Sequence, residues 1–423
     1  MKKYLLPVLL LMASYCASSQ DLKTISLYVN LNQFDKAKTE VDAFLANEKN
    51  AANPEGWYYK AFIYNSLGRV ATKPLTESKA LYQSAFDAIK KYADIDPKAT
   101  LTTEEKNSTV FNIYYGEYDL GVKTYNDKNL EESYESFKKA LEVHDYIFSK
   151  NITGPNNLKF SAHDTDVVWN LAIIANTLKK KDEAIFYYTK VADADLADEK
   201  YATAYDELVL NYKREKNATL FAKYLAAAKK HYPVDMPYWE NKEIDFALTG
   251  LEGEALLNKY EELTKALPNN YVVFYNYAID IDKFLGTDAA KGKDVTAYRN
   301  KIEELFKKTI TIKSTIEGNL QLANLYYSKT YDLQEQAAKI KGTKPAEVKV
   351  KNDLLASIKT NMNQAIPYAE EAERLLAALK EYKFADKTNY KLAMEILTHA
   401  YKMNGNAAKL AEYQKKKIEV DKL

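Results

Sequence analysis

The chain is poor in the residues that make tight turns, with 12 glycines and 10 prolines in 423 positions. That scarcity argues against a fold of many short strands joined by hairpins and favours long helices. Cysteine occurs once, at Cys16, so a framework of intramolecular disulfides is excluded. The four histidines, His144, His163, His231 and His399, lie far apart, and none has a partner at the spacing that puts two ligands on one helix face. Neither sign of charge dominates, with 60 Lys and Arg against 59 Asp and Glu, so no overall basic excess points to nucleic acid or an anionic membrane. Beyond the N-terminus no stretch approaches the roughly 18 consecutive apolar residues of a membrane span. There is no glycine-rich phosphate loop and no Gly-x-Ser-x-Gly elbow. The expectation is a chain with no metal, no cofactor and no enzymatic constellation.

Several features are present. Lys2 and Lys3 precede an apolar run from Tyr4 to Met12, and Ala17-x-Ser19 has the small residues of a cleavage site. This is the layout of a secretory signal over residues 1–19, with the mature chain beginning at Gln20 or Asp21. A cysteine-free exported chain of this size suits a bacterial periplasm. A lipoprotein anchored through Cys16 is the weaker reading, because bulky Tyr15 stands where a lipobox needs a small residue. Hydrophobic residues make up 47% of the chain, enough for a folded core. Tyrosine, at 35, is unusually abundant, and it suits half-buried seams and binding grooves because its ring packs while its hydroxyl reaches water.

The strongest signal is a repeat. Trp169, Tyr205, Trp239 and Phe274 follow one another at 36, 34 and 35 residues, each opening an apolar helical stretch. A second helix follows, and two such units end on Pro233 and Pro268, again 35 apart. Proline just past a helix is a stop, because it cannot continue the hydrogen-bond ladder. Roughly nine helix pairs can be read in this way, from residue 21 to the C-terminus. Insertions interrupt the second pair near Pro74, the seventh near Gly286 and Gly292, and the eighth across the lysine-rich stretch from Lys339 to Lys351. The loop from Asn151 to Asn157, which contains Gly154-Pro155, marks a boundary between N-terminal repeats over 20–150 and C-terminal repeats over 151–423. His163-Asp164-x-Asp166 stands at a helix start and reads as a cap, not a metal site. Glu104-Glu105 and Glu131-Glu132 read as solvated helix faces.

The matches Leu120-Gly121 with Phe137 and Ala140, Leu171-Ala172 with Ala184 and Tyr188, and Tyr205, Leu208 and Tyr212 with Ala228 and Pro233 resemble the tetratricopeptide repeat. Leu397 and Tyr401 with Gly405 extend the pattern, whereas Lys242 and Glu243 depart from it where a large-small pair should stand. The Tyr-, Asn- and Lys-rich composition is similar to that of exported proteins of Bacteroidetes-type bacteria. The resemblance implies an all-α, right-handed superhelical solenoid of antiparallel helix pairs. Its core would hold Trp57, Ala61, Leu120, Phe137, Leu171, Ala184, Tyr188, Leu208, Tyr212 and Ala228. In such an array the first helix of each pair lines a concave groove. Mapped onto this sequence, the groove positions are Tyr58, Asn65, Tyr118, Tyr125, Trp169, Asn176, Tyr275, Asn324 and Tyr327, all aromatic or Asn. The resulting expectation is a periplasmic scaffold that holds a protein or peptide partner of the cell envelope, without nucleic acid or a transmembrane span. Several of these rings, Trp169 above all, could instead fill the seam between repeats. Binding of a carbohydrate or small ligand is the alternative, and an enzyme is the least favoured reading.

Overall fold

The computed structural model describes residues 21–422, so the signal segment, the cleavage site and Cys16 lie outside the described residues. Among the described residues there are nineteen α-helices and no strand. Eighteen of them form nine antiparallel pairs. The chain divides into two compact units, one ending at Pro233 and the other beginning at Val234.

The first unit comprises α1 (Leu22–Asn30) with α2 (Phe34–Ala46), α3 (Pro54–Gly68) with α4 (Leu75–Ile95), a short α5 (Thr100–Glu104), α6 (Ser108–Asn126) with α7 (Leu130–Ser149), α8 (Thr165–Thr177) with α9 (Lys181–Asp193), and α10 (Ala202–Arg214) with α11 (Ala218–His231). The second comprises α12 (Met236–Leu248) with α13 (Gly253–Ala266), α14 (Tyr271–Leu285) with α15 (Val295–Ile312), α16 (Ile316–Lys339) with α17 (Pro345–Ala377), and α18 (Phe384–Met403) with α19 (Ala407–Val420). The four aromatics that set the period fall in the opening turns of α8, α10, α12 and α14. Pro233 and Pro268 each stand two residues past a second helix.

Local chemistry accounts for the helix starts. Asn53, Asn129, Asp164, Asn217, Asn270, Asp294, Thr315 and Asn406 each accept a backbone N–H of the first turn through the side chain. Capping is thus the observed role of Asp164, whose Oδ1 accepts from the Val167 N–H at 3.1 Å.

Close approach within a pair depends on small residues. A Cβ on Gly121 of α6 would lie 2.9 Å from the Phe137 ring of α7, and the Ser133 hydroxyl of α7 donates to the Gly121 carbonyl at 2.8 Å. The small member of the Leu120-Gly121 pair therefore faces the partner helix, and Leu120 is only half-buried. Trp57 departs from the expected core in the same way. Gly56 meets Phe44 and Leu45 of α2, while Trp57, one position round the helix, sits half-buried and donates its indole N–H to the Ala51 carbonyl. Ala61, Phe137, Leu171, Ala184, Tyr188, Leu208 and Ala228 are buried as expected. Tyr212 is half-buried and stacked on Tyr224 at 5.6 Å and 12°.

The segment after α7 is packed into the first unit. Phe160 stacks on His144 at 5.0 Å and meets Phe111 and Tyr114 at 4.9 and 4.7 Å. Asn107 donates to the Thr153 carbonyl at 2.8 Å. These aromatic and amide contacts hold the segment against α6 and α7.

Candidate functional site

One device recurs among the tyrosines. A ring lies in a seam between helices and its hydroxyl donates outward to a carboxylate. Tyr64 donates to Asp42 at 2.6 Å, and Asp42 also takes Lys60 at 2.9 Å and Lys38 at 3.1 Å. Burial, then the Asp42 carboxylate, push the Tyr64 hydroxyl up to about 12. In the second unit Tyr326 donates to Glu303 at 2.7 Å, with Lys329 and Lys307 on the same carboxylate. Burial alone would raise Glu303, but hydrogen bonds from Lys307, Lys329 and Tyr326 outweigh it and bring the group down to about 2. Tyr260 and Tyr277 stack at 5.2 Å and 10° and donate to Asp280 and Glu261. Tyr401 and Tyr413 stack at 5.5 Å and 5° over the shared acceptor Glu370. An aromatic body that packs and a polar tip that pairs at the edge make tyrosine suited to these shallow seams.

The same device captures several expected groove residues. Tyr58 packs against Tyr59 and Tyr92 and donates to Glu105, whose carboxylate also accepts from the Thr109 hydroxyl. Glu105 is therefore not the solvated group expected of its pair with Glu104. Tyr118 meets Phe137 edge-on at 5.6 Å, Trp169 meets Tyr201 at 5.2 Å and 90°, and Tyr275 meets Phe306 at 5.9 Å. Asn65 and Tyr327, also among the expected groove residues, are buried, at 4% and 3% exposure. Tyr327 faces α18, where its hydroxyl contacts His399 Nδ1 at 2.8 Å and Glu395 at 3.3 Å. Asn324 is half-buried. Asn176 is exposed and reaches Glu207 at 3.5 Å, and Tyr125 is 47% exposed.

An exposed apolar stripe runs along α6. Tyr115, Tyr118, Val122 and Tyr125 stand at i, i+3, i+7 and i+10, which places them within one narrow sector of the helix. Tyr115 and Val122 were absent from the expected set. Their spacing was visible in the sequence, but the sequence does not say that the opposite face, through Ile113, Gly116, Glu117 and Thr124, takes the core.

The first unit also holds a cavity of about 590 Å³ between α4, α5, α6 and the end of α7. Ile89, Tyr92 and Val110 form its buried apolar side, and Lys90, Asp94, Tyr146 and Lys150 stand at its polar edge. Ala99, Asn107 and Asn151, also in its lining, have positive φ of 49°, 57° and 50°. Among the described residues no group of three or more His, Cys, Asp or Glu side chains is placed to hold a metal ion. No described helix is long and apolar enough to cross a membrane.

Each unit is an array of antiparallel helix pairs. No protein-family model matches the chain, and no curated protein does. Among solved structures, a TPR repeats protein from Bacteroides fragilis is similar at 18% identity, covering 67% of this chain and 97% of its own, with a TM-score of 0.27. The TPR domain of P58(IPK) is similar at 13% identity over 90% of this chain and 98% of its own, with a TM-score of 0.26. Yeast Tom70 is similar at 14% identity over 94% and 88%, with a TM-score of 0.21. Scores this low add nothing to what the helix pairs show by themselves.

Proposed function

We propose that this protein is a non-enzymatic interaction scaffold, exported to the bacterial periplasm, which holds a segment of an envelope protein against the first helices of its repeats. The observation that carries this reading is the stripe on α6, where aromatic and aliphatic side chains stay exposed although their helix has a complete core face. Tyrosine brings large contact area at low entropy cost, and such residues dominate binding energy at protein interfaces. Tyr125 and Asn176 remain in the proposed contact set. Tyr118, Tyr58, Trp169, Tyr275 and Asn324 belong to it through whatever edge their seam contacts leave open.

A photo-crosslinking residue at position 125, used in an envelope extract, tests the reading by recovering a discrete partner. The affinity of that partner is then measured for Tyr115→Ala combined with Tyr125→Ala. A loss of at least ~1 kcal/mol with an unchanged melting temperature is expected. No crosslinked partner, or unchanged affinity, would refute the placement of the surface.

The cavity favours a second reading, the binding of a small ligand. Its volume lies in the range of ligand sites, and three non-glycine residues in left-handed conformation shape its wall. Ile152→Trp, which projects bulk into that space, would then abolish a thermal shift produced by any ligand that binds there.

A further inference from the structure

The overall charge of the chain is balanced, but its charge is not evenly placed. Between buried Ala337 on α16 and buried Ile358 on α17, none of the residues is buried, so the end of this helix pair stands in solvent. Within 338–357 there are five lysines, Lys339, Lys341, Lys344, Lys349 and Lys351, against Glu347 and Asp353. Lys339 is paired with Glu335 at 2.6 Å. The Glu347 carboxylate accepts from the Lys344 backbone N–H at the start of α17. The ammonium groups of Lys341, Lys344, Lys349 and Lys351 have no carboxylate partner among the described residues. Val348, Val350 and Leu355 are exposed among them, at 42%, 52% and 48%.

We propose that this hairpin tip is a docking element for an anionic lipid bilayer. The inference does not rest on the α6 surface. Charge complementarity is the first argument: a cluster of four or more lysines is attracted to anionic headgroups, each adding to the partition. The interleaved aliphatic side chains supply the apolar contact that an interfacial helix inserts at the headgroup boundary. The composition also separates the bilayer from other anionic partners. The tip has no arginine and no aromatic residue. Nucleic-acid surfaces draw on arginine for phosphate and base and on aromatics for stacking, and tight protein interfaces draw on Trp, Tyr and Arg. Unpaired lysines with short aliphatic neighbours match a fluid anionic surface, which requires no fixed donor geometry.

The test uses the mature full-length chain, without any lipid anchor, in sedimentation with vesicles of phosphatidylglycerol and phosphatidylcholine in equal parts. Binding is expected at low ionic strength. It should be at least about tenfold weaker on pure phosphatidylcholine, and it should fall as salt shortens the screening length. Replacing Lys341, Lys344, Lys349 and Lys351 by Gln should reduce it at least about tenfold, while replacing all four by Arg retains it. Because every one of these side chains is exposed, the helical circular-dichroism signal should not change in either variant. Equal binding to the two vesicle types, no binding at low salt, or a Gln variant that binds like the parent would overturn the proposal. Retention by polyglutamate in solution without retention by the vesicles would assign the tip to an acidic chain, and would also overturn it.

Discussion

Glu117 offers a direct test of how the first unit is packed. It sits on α6 with only 3% of its surface exposed, and its Oε2 has no hydrogen-bond partner. Burial raises its carboxyl to about 8 from the ordinary 4.5, against the opposing pull of Lys79 on α4 and Lys139 on α7, with Glu142 adding to the rise. A folded-state value above the unfolded one means that the native protein holds a proton the unfolded chain has released. The stabilisation is fully present below the unfolded value, declines at about 1.4 kcal/mol per pH unit above it, and is lost as pH rises through the folded value. From pH 5 to pH 8 the loss amounts to about 4 kcal/mol by this arithmetic. Glu117→Gln mimics the protonated form at every pH. The variant should therefore match the parent near pH 5 and be more stable by a few kcal/mol near pH 8. Urea unfolding of both proteins across this range isolates the effect, because the titration of all other groups cancels in the difference. Since repeat arrays open locally, the readout should be exchange protection of α6 and α7 amides as well as the global transition. A variant less stable than the parent at pH 8, or one whose difference does not change with pH, would refute the assignment of Glu117 as a buried, protonated acid.

Other expectations follow from the same packing. Gly121→Ala should destabilise the first unit by about 1–3 kcal/mol by overpacking against Phe137, in place of the roughly 1 kcal/mol gain alanine brings to an open helix; thermal denaturation gives the sign. Ala228, fully buried on α11, should not tolerate Asp: an unpaired buried carboxylate costs at least several kcal/mol, and exchange should loosen in α10 as well as α11. If Ala228→Asp melts like the parent, the helix register is wrong. Glu303 shows the opposite pH dependence to Glu117. Its carboxyl is depressed to about 2, so its contribution is present above about 4.5 and disappears as pH falls toward 2. Glu303→Gln should accordingly weaken the second unit at neutral pH and lose that difference at pH 2, measured by denaturation at the two extremes. Tyr125→Ala should leave the melting temperature unchanged, whereas Tyr118→Ala, which removes an aromatic partner of Phe137, should lower it.

The sequence by itself determined the architecture. Spacings of 34 to 36 residues between Trp169, Tyr205, Trp239 and Phe274 placed the openings of α8, α10, α12 and α14, because each pair buries its apolar face against its neighbours and so repeats its chemistry at a fixed interval. Prolines and Asn or Asp caps set helix ends through backbone hydrogen bonding, which is local and therefore readable. Tertiary structure decided which side of each residue faces what. One position on a helix turns a side chain by about 100°, enough to exchange Trp57 for Gly56 at the α2 contact and to leave Leu120 half outside. It also decided that Asn65 and Tyr327 are buried while Tyr115 and Val122 are not, since the contacts closing over them come from neighbouring helices that no local spacing specifies. The tyrosine excess was visible in the composition. Its use in seams, with hydroxyls turned to Asp42, Glu303 and Glu370, depends on carboxylates that lie 22 to 43 residues away in the chain and become neighbours only when the pairs stack.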